Sequence, residues 1–251
     1  MDFTNQLHEI EWVIHRAWPA RIIQPYENWL LRAHEGVTKR ANSVFTVGAM
    51  PQNKHWLKEI EAFYEAQQIT PCFYMSALSP KQLDEILFAN HYQQIGFMDL
   101  MLAHTERVLQ FYTDNPDISV QIDTEVTPRW IERFLQLEQF AAHLSSAYEK
   151  IFTALPGKKA FVTIYKDEMP VAVASVAVEQ PYGYVANVVV APSYRRQRLA
   201  THLLTNLAKW AEMHGVKYFV LQVVTENEAA QKLYQQLHFT KLAQSYYWMK
   251  Q

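Results

Sequence analysis

The segment Val188–Leu204, VVVAPSYRRQRLATHLL, constrains this chain more than any other. A β-branched run stops at Pro192, a basic turn follows, and an apolar helical pattern begins at once. A strand that feeds a helix so abruptly returns to its sheet as a crossover, so Tyr184–Val190 and the next strand-like run, Tyr218–Val224, are expected as parallel neighbours. The same layout leaves free backbone N–H groups and the positive end of a helix dipole at the turn, where an anion is favoured. Arg195, Arg196 and Arg198 approach with matching charge. A solvated basic face is the plainer reading of three arginines, but their place at a helix start favours anion binding.

The formal net charge is −2, so these arginines are a local patch, and a general nucleic-acid coat is excluded. With 251 residues, 49% of them hydrophobic, the chain can bury one large core or two ordinary ones. Its single cysteine, Cys72, rules out an internal disulfide framework and fits a reducing cytoplasm. Cys72 lies in a strand-like run, so a core role is expected ahead of a reactive thiol. Met1–Ile14 is acidic and broken by charges, unlike a secretory signal, and no apolar run is long enough to span a bilayer. A soluble cytoplasmic protein without membrane attachment is therefore expected. The ten histidines form no cluster with cysteine or carboxylate at ligand spacing, so no metal site is expected. Neither a P-loop nor a G-x-S-x-G elbow occurs.

Along the chain, Gly36 separates the strand-like runs Trp29–Ala33 and Val37–Val47, suggesting a hairpin. Apolar positions at Trp56, Leu57, Ile60, Phe63 and Tyr64 predict a helix over 53–67. A strand at Pro71–Met75 follows, then a helix from Pro80 with Ser79 as N-cap, then a strand at Ile95–Ala103. The polar, proline-bearing stretch Tyr112–Ile118 reads as a linker, which divides the chain into 1–112 and 113–251. In the second part Thr127-Pro128 opens a helix, and strands at 160–165, 171–178 and 184–190 precede the basic turn. A long helix, the strand 218–224, a helix capped by Asn227 and a closing strand at 239–249 complete it. Meandering strands followed by helix–strand–helix–strand define an α+β fold with a mixed, mostly antiparallel sheet flanked by helices.

Two separated motifs of the second half resemble those of the GNAT superfamily of N-acetyltransferases. Val190-Ala-Pro-Ser-Tyr194-Arg195-Arg-Gln-Arg198-Leu-Ala200 is similar to its pyrophosphate loop, Q/R-x-x-G-x-G/A. Leu221–Phe239, with Asn227 and Tyr234, resembles its strand, asparagine, helix, tyrosine and closing Gly-Phe. The resemblance implies acetyl-CoA as acyl donor in a V-shaped cleft and an amine, on a small molecule or peptide, as acceptor. It implies that the backbone of Val188 and Val190 pairs with the pantetheine arm. Amides of Arg195, Arg196, Gln197, Arg198, Leu199 and Ala200, with Thr201 opening the helix, would bind the pyrophosphate. Asn227 would touch the cofactor arm, and Tyr234 would be the catalytic acid that protonates the departing thiolate. On its own Tyr234, beside Leu233 and Leu237, reads as a core residue. Two departures stand out: Arg198 occupies the loop's central glycine position and His238 the glycine position before Phe239. A residue in the first helical turn needs no positive φ, so arginine is expected to fit there.

Aligned on their closing strands, the halves place Leu87 on Tyr234, Pro80 on Asn227 and His91-Tyr92 on His238-Phe239. The first half has no counterpart of the basic turn. Through Trp29-Leu-Leu-Arg32 and Gly36-Val-Thr-Lys-Arg40-Ala-Asn-Ser43-Val44 it resembles the degenerate N-terminal half of bacterial tandem GNAT proteins, so two tandem GNAT-like domains are expected, the second catalytic; an unrelated α+β domain is the alternative. Glu179, Glu149 and His143 are chemically possible bases, and Asn187 could hold a relaying water; the sequence selects none of them. A non-catalytic acyl-CoA-binding or regulatory module, and a donor such as succinyl-CoA, are the alternatives. The acceptor and oligomeric state are not written in the sequence.

Overall fold

The structure, a computed structural model, describes residues 3–251. Met1 and Asp2, which open the acidic first stretch, lie outside the described residues. The first half runs α1 (Phe3–Arg16), β1 (Ile22–Tyr26), β2 (Trp29–Ala33), a 3₁₀ turn at Lys39–Ala41, β3 (Val44–Phe45), α2 (Trp56–Ala66), β4 (Cys72–Met75), α3 (Gln82–Ala89), β5 (Tyr92–His104) and α4 (Thr105–Leu109). The second runs β6 (Ser119–Asp123), α5 (Pro128–Glu138), α6 (Ser145–Thr153), β7 (Lys159–Lys166), β8 (Met169–Glu179), β9 (Tyr182–Val190), α7 (Leu199–Glu212), β10 (Tyr218–Val224), α8 (Glu228–Gln236) and β11 (Thr240–Lys250).

All the strands join one 11-stranded sheet in the order β1-β2-β3-β4-β11-β5-β10-β9-β8-β7-β6. From either edge the pattern repeats: β2-β3-β4 mirrors β8-β9-β10, and each triplet ends in a parallel pair joined through a helix, α2 or α7. At the centre the closing strands are exchanged. β11 lies against β4, with Tyr246 opposite Met75, whereas β5 lies against β10, with Tyr218 opposite His104. The two exchanged strands pair antiparallel with each other from Thr240–Leu102 to Lys250–Tyr92, with two irregularities on the way. The aligned residues His91 and His238 occupy equivalent turns, each with a left-handed φ (63° and 66°) just before its closing strand. A glycine would adopt that conformation freely; the histidine at each site does so against the Cβ clash.

Local chemistry explains most elements. Thr127 caps α5 by accepting from the Trp130 N–H at 3.1 Å, and Pro128 fills the first turn. Asn227 caps α8 in the same way through the Ala230 N–H at 3.1 Å. Cys72 is a buried β4 residue whose thiol is pushed up to about 12 by burial. Two expectations need correction, and one helix was missed. The runs on either side of Gly36 do pair antiparallel, Leu30 of β2 opposite Phe45 of β3, but β3 is only two residues long and the tight hairpin is β1–β2, with Tyr26 opposite Trp29. Ser79 does not cap α3, because its hydroxyl is bound to the Ser76 N–H and Thr46. Helix α1 was not anticipated, because its buried face carries Glu11 and His15 beside Leu7, Ile10, Val13 and Ile14. Burying each of those four apolar side chains contributes about 1.5–3 kcal/mol, enough together to carry the two polar ones inside. No helix among the described residues is long and apolar enough to cross a membrane.

Because β11 has first-half strands on both sides, a fragment of residues 113–251 loses both partners of its last strand and bares the β10 edge. Expressed alone it should be insoluble or unfolded, and co-expression with residues 1–112 should restore a folded, co-purifying pair. Circular dichroism and size-exclusion chromatography check both outcomes; a monomeric, cooperatively melting 113–251 would contradict the account.

Candidate active site

Strands β9 and β10 are hydrogen-bonded only at their beginnings, Tyr182–Tyr184 against Tyr218–Val220. Both continue beyond that point, so they part into a V whose crotch lies at Tyr184 and Val220. The other edge of β9 pairs with β8, except for a bulge where the register shifts between Val173 and Ser175. Asn187 forms the bulge with φ 58°, and its side-chain amide donates to Ser175 Oγ at 2.8 Å. Bulges of this kind re-aim the strand around them. Val188 and Val190 follow it on the open limb.

The basic turn closes the mouth of the V. Arg195 Nε donates to the Val190 carbonyl at 3.3 Å, and Lys166 Nζ donates to Gln197 Oε1 at 2.9 Å, tying the turn to the β7–β8 hairpin. The first bond of α7 runs from the His202 N–H to the Arg198 carbonyl, 3.0 Å, so the amides of Leu199, Ala200 and Thr201 have no helical acceptor. Arg195, Arg196, Gln197 and Arg198 are all exposed around them. One expectation fails here. Arg198 is the residue before the first turn of α7, and its φ of 60° is left-handed; Arg196, at 65°, is as well. The glycine position of the motif thus keeps the glycine backbone while carrying an arginine, at a cost of about 1–2 kcal/mol.

Tyr234, on α8, is 7% exposed and packs against Phe239 at 5.5 Å between ring centroids. Burial, and secondarily the neighbouring Tyr184, holds its phenol well above the ordinary value, so it stays protonated at neutral pH. The bases suggested by sequence lie elsewhere. Glu179 ends β8 beside the closed end of β9 and is paired with Arg16, and Glu149 and His143 are exposed on the α6 side. Only Asn187 sits in the V. A groove of about 540 Å³ runs along α1 near Glu179 and Tyr182, but it lies at the closed end and its Arg16–Glu179 charges already satisfy each other.

Sequence reasoning missed what the first half brings to the crotch. Arg40 Nη1 donates to the Tyr184 hydroxyl at 3.0 Å, and that hydroxyl donates to Gln222 Oε1 at 3.4 Å. Gln222 Nε2 donates to Tyr74 Oη at 3.0 Å, and Tyr74 donates to Glu11 Oε2 at 3.0 Å. This chain crosses from α1 and β4 through β10 to β9, and no sequence spacing could have announced it. Burial raises the Glu11 carboxyl to about 7 and lowers His15 to about 2. Glu138, half-buried at the end of α5, is also raised by burial, with Arg40 and Arg195 acting in the opposite sense.

A parallel pair opening into a V, with a helix N-terminus at its mouth and the same plan repeated around exchanged strands, is the architecture of a tandem GNAT protein. Solved structures share it. A GCN5-related N-acetyltransferase from Kribbella flavida superposes with a TM-score of 0.73 at 15% identity, covering 99% of this chain and 95% of that one. A tandem GNAT protein from the clavulanic acid biosynthesis pathway superposes at 0.67 with 11% identity, covering 99% and 96%. The "Uncharacterized N-acetyltransferase YobR" of Bacillus subtilis (strain 168) is 34% identical over 246 residues, 98% of this chain and 99% of that protein. The chain belongs to the acetyltransferase family described as "Probable histone acetyltransferase Rv0428c C-terminal", whose model matches residues 4–248. It is an N-acetyltransferase of the GNAT type.

The raised carboxyl of Glu11 makes a signed prediction. Protonation favours the folded state, so its contribution is full below pH 4.5 and is lost as the pH rises through about 7. Glu11→Gln keeps an acceptor for Tyr74 but carries no charge. The variant should match the wild type at pH 4.5 and exceed it by up to about 3 kcal/mol at pH 8. Parallel urea melts across that range measure the difference, in which the opposite contribution of His15 cancels.

Proposed function

We propose that residues 113–251 carry out the transfer of an acetyl group from acetyl-CoA to a primary amine by direct attack in a ternary complex. Residues 1–112 build the acceptor side of the cleft and do no acyl chemistry. The observation that carries this reading is the parting of β9 from β10 after Tyr184 and Val220, with the unpaired amides of α7 at its mouth. The donor set fits acetyl-CoA: strand edges for a peptide-like arm, and backbone N–H groups under exposed arginines for a pyrophosphate. When bound, acetyl-CoA supplies an activated thioester carbonyl.

On this reading the backbone of Val188 and Val190 aligns the arm along the open limb of β9. Amides from Arg195 to Ala200, with Thr201, hold the pyrophosphate, and Asn227 contacts the arm while capping α8. Tyr234 holds a proton at its hydroxyl for the departing thiolate, and its elevated phenol keeps that proton in place until sulfur needs it. The buried thiol of Cys72, the chain's single cysteine, is in no state to form an acyl-enzyme, which supports direct attack. In the first half the matching parallel pair, β3 with β4, leads into a helix that opens on the buried Trp56, and Leu87 stands at the tyrosine position. Neither the cradle nor the acid is present there, which supports a role without acyl chemistry.

Tyr234→Phe should lower kcat about a hundredfold or more, with acetyl-CoA affinity by calorimetry nearly unchanged; undiminished turnover would remove the acid assignment. Arg198→Gly should gain up to about 1 kcal/mol of stability by relieving the left-handed backbone. Its acetyl-CoA affinity should be equal or weaker. Tighter binding would show that the arginine obstructs the cradle.

A further inference from the structure

Between the first half and the crotch of the V lies a cavity of about 20 Å³, bordered by Glu11, His15, Arg32, Arg40, Tyr74 and Gln222. Its polar walls are not self-satisfied. His15 Nδ1, Arg32 Nε and Ser43 Oγ are buried and have no hydrogen-bond partner among the described residues, and all three residues line this one space. Arg32, on β2, is 4% exposed; its Nη2 caps the end of α1 by donating to the carbonyls of His15 and Trp18, which leaves Nε free. Arg40 lies over Trp18, 3.7 Å from the ring centroid, and reaches the crotch through Tyr184.

The charges are not self-satisfied either. Neither Arg32 nor Arg40 forms an ion pair among the described residues. Glu11 is turned to Tyr74 and, with its carboxyl raised to about 7, is only partly ionised at neutral pH. Glu138 faces Arg40 from α5 but makes no ion pair with it. Water could satisfy the three orphaned atoms, yet it would leave two guanidiniums in a largely buried space with no carboxylate bonded to either, an expensive arrangement. Arginine pairs best with a planar, bidentate anion. A space of this size admits roughly one or two water-sized atoms, which suits the two oxygens of a carboxylate better than the four of a tetrahedral phosphate.

We propose that this cavity is the carboxylate subsite of the acetyl acceptor: the substrate is an amine that also bears a carboxylate, held by Arg40, Arg32 and Ser43 while its amine faces the crotch at Tyr184. The proposal rests on acetyl transfer at the β9–β10 cleft. It makes the first half the part that selects the substrate. The hydrogen bond from Arg40 to Tyr184 couples carboxylate capture to the place where the strands part, so the spacer between amine and carboxylate is short.

Two measurements test it. In the first, CoA release is followed with a panel of α-, β- and γ-amino acids, their carboxamides and the matching plain amines. At least one amino acid should exceed its carboxamide in kcat/KM by about tenfold or more. Arg40→Gln should erase that preference chiefly through KM, Arg40→Lys should restore part of it, and acetyl-CoA affinity should stay the same in both. Carboxamides or plain amines used as well as the acids would overturn the proposal. In the second, the Tm of the full chain is measured in propionate against chloride and phosphate at constant pH and ionic strength. Propionate should raise the Tm of the wild type in a saturable way and leave Arg40→Gln unmoved; an unmoved wild type would overturn the proposal. The second measurement needs no acetyl-CoA. A chain that neither binds acetyl-CoA nor releases CoA would therefore refute acetyl transfer at the cleft, and the Tm series would still decide what the cavity binds.

Discussion

The antiparallel contact between β5 and β11 holds the molecule together. Each strand closes one repeat in sequence and completes the other in space, so neither half has a finished sheet without its partner. The cleft depends on that exchange. β10 is gripped along its full length by β5, from Tyr218–His104 to Val224–Met98. With one edge of β10 held to its end, β9 parts from it after Tyr184, and the opening is a V between two strands that each keep a partner on the other side. Helix α1 spans the same seam and brings Glu11 and His15 beneath residues of both halves.

That seam carries an unusual concentration of buried polar groups. Apolar packing along α1 supplies more than enough free energy to hold them there, and it explains why the fold tolerates a carboxyl and a guanidinium at 1% and 4% exposure. A fold can carry such groups as a specificity device when hydrogen bonds satisfy them, as the bonds from Arg32 to the end of α1 do. Here part of each group's bonding capacity is left over and directed to one space beside the crotch. Stability alone would have favoured apolar side chains at those positions.

Much of this was legible in the sequence, and the limits have physical causes. The strand–turn–helix at Val188–Leu204 and the capped helix after Asn227 are local, so their parallel strands could be read from periodicity and turn chemistry. The equivalence of His91 and His238 was visible as an alignment, and the shared left-handed turn gives it a cause. What escaped was either non-local or concealed by polarity. Nothing in Thr240–Lys250 states that it will lie beside Cys72–Met75, because strand pairing is set by tertiary packing. Helix α1 was hidden by the charged residues on its buried face. The backbone of Arg198 was misjudged because its side chain argued for helix while the motif position argued for glycine, and the position prevailed. Arg40, Arg32 and Glu11 are scattered through the first half, and only the fold brings them to one cavity.

The strand exchange also sets an order of events during synthesis. β4 is complete early, but the strand that covers its edge comprises residues 240–250, which emerge long after it. Until then β4 has an open edge, carrying aromatic residues such as Phe73 and Tyr74, and β5 lacks its β11 partner. Early folding of the N-terminal part alone therefore leaves its sheet unfinished, and the highly non-local pairing of β4 with β11 must wait for residues 240–250. A nascent chain of this design carries the β4 edge unpaired until β11 follows, and an open edge of that kind is a template for pairing with other chains.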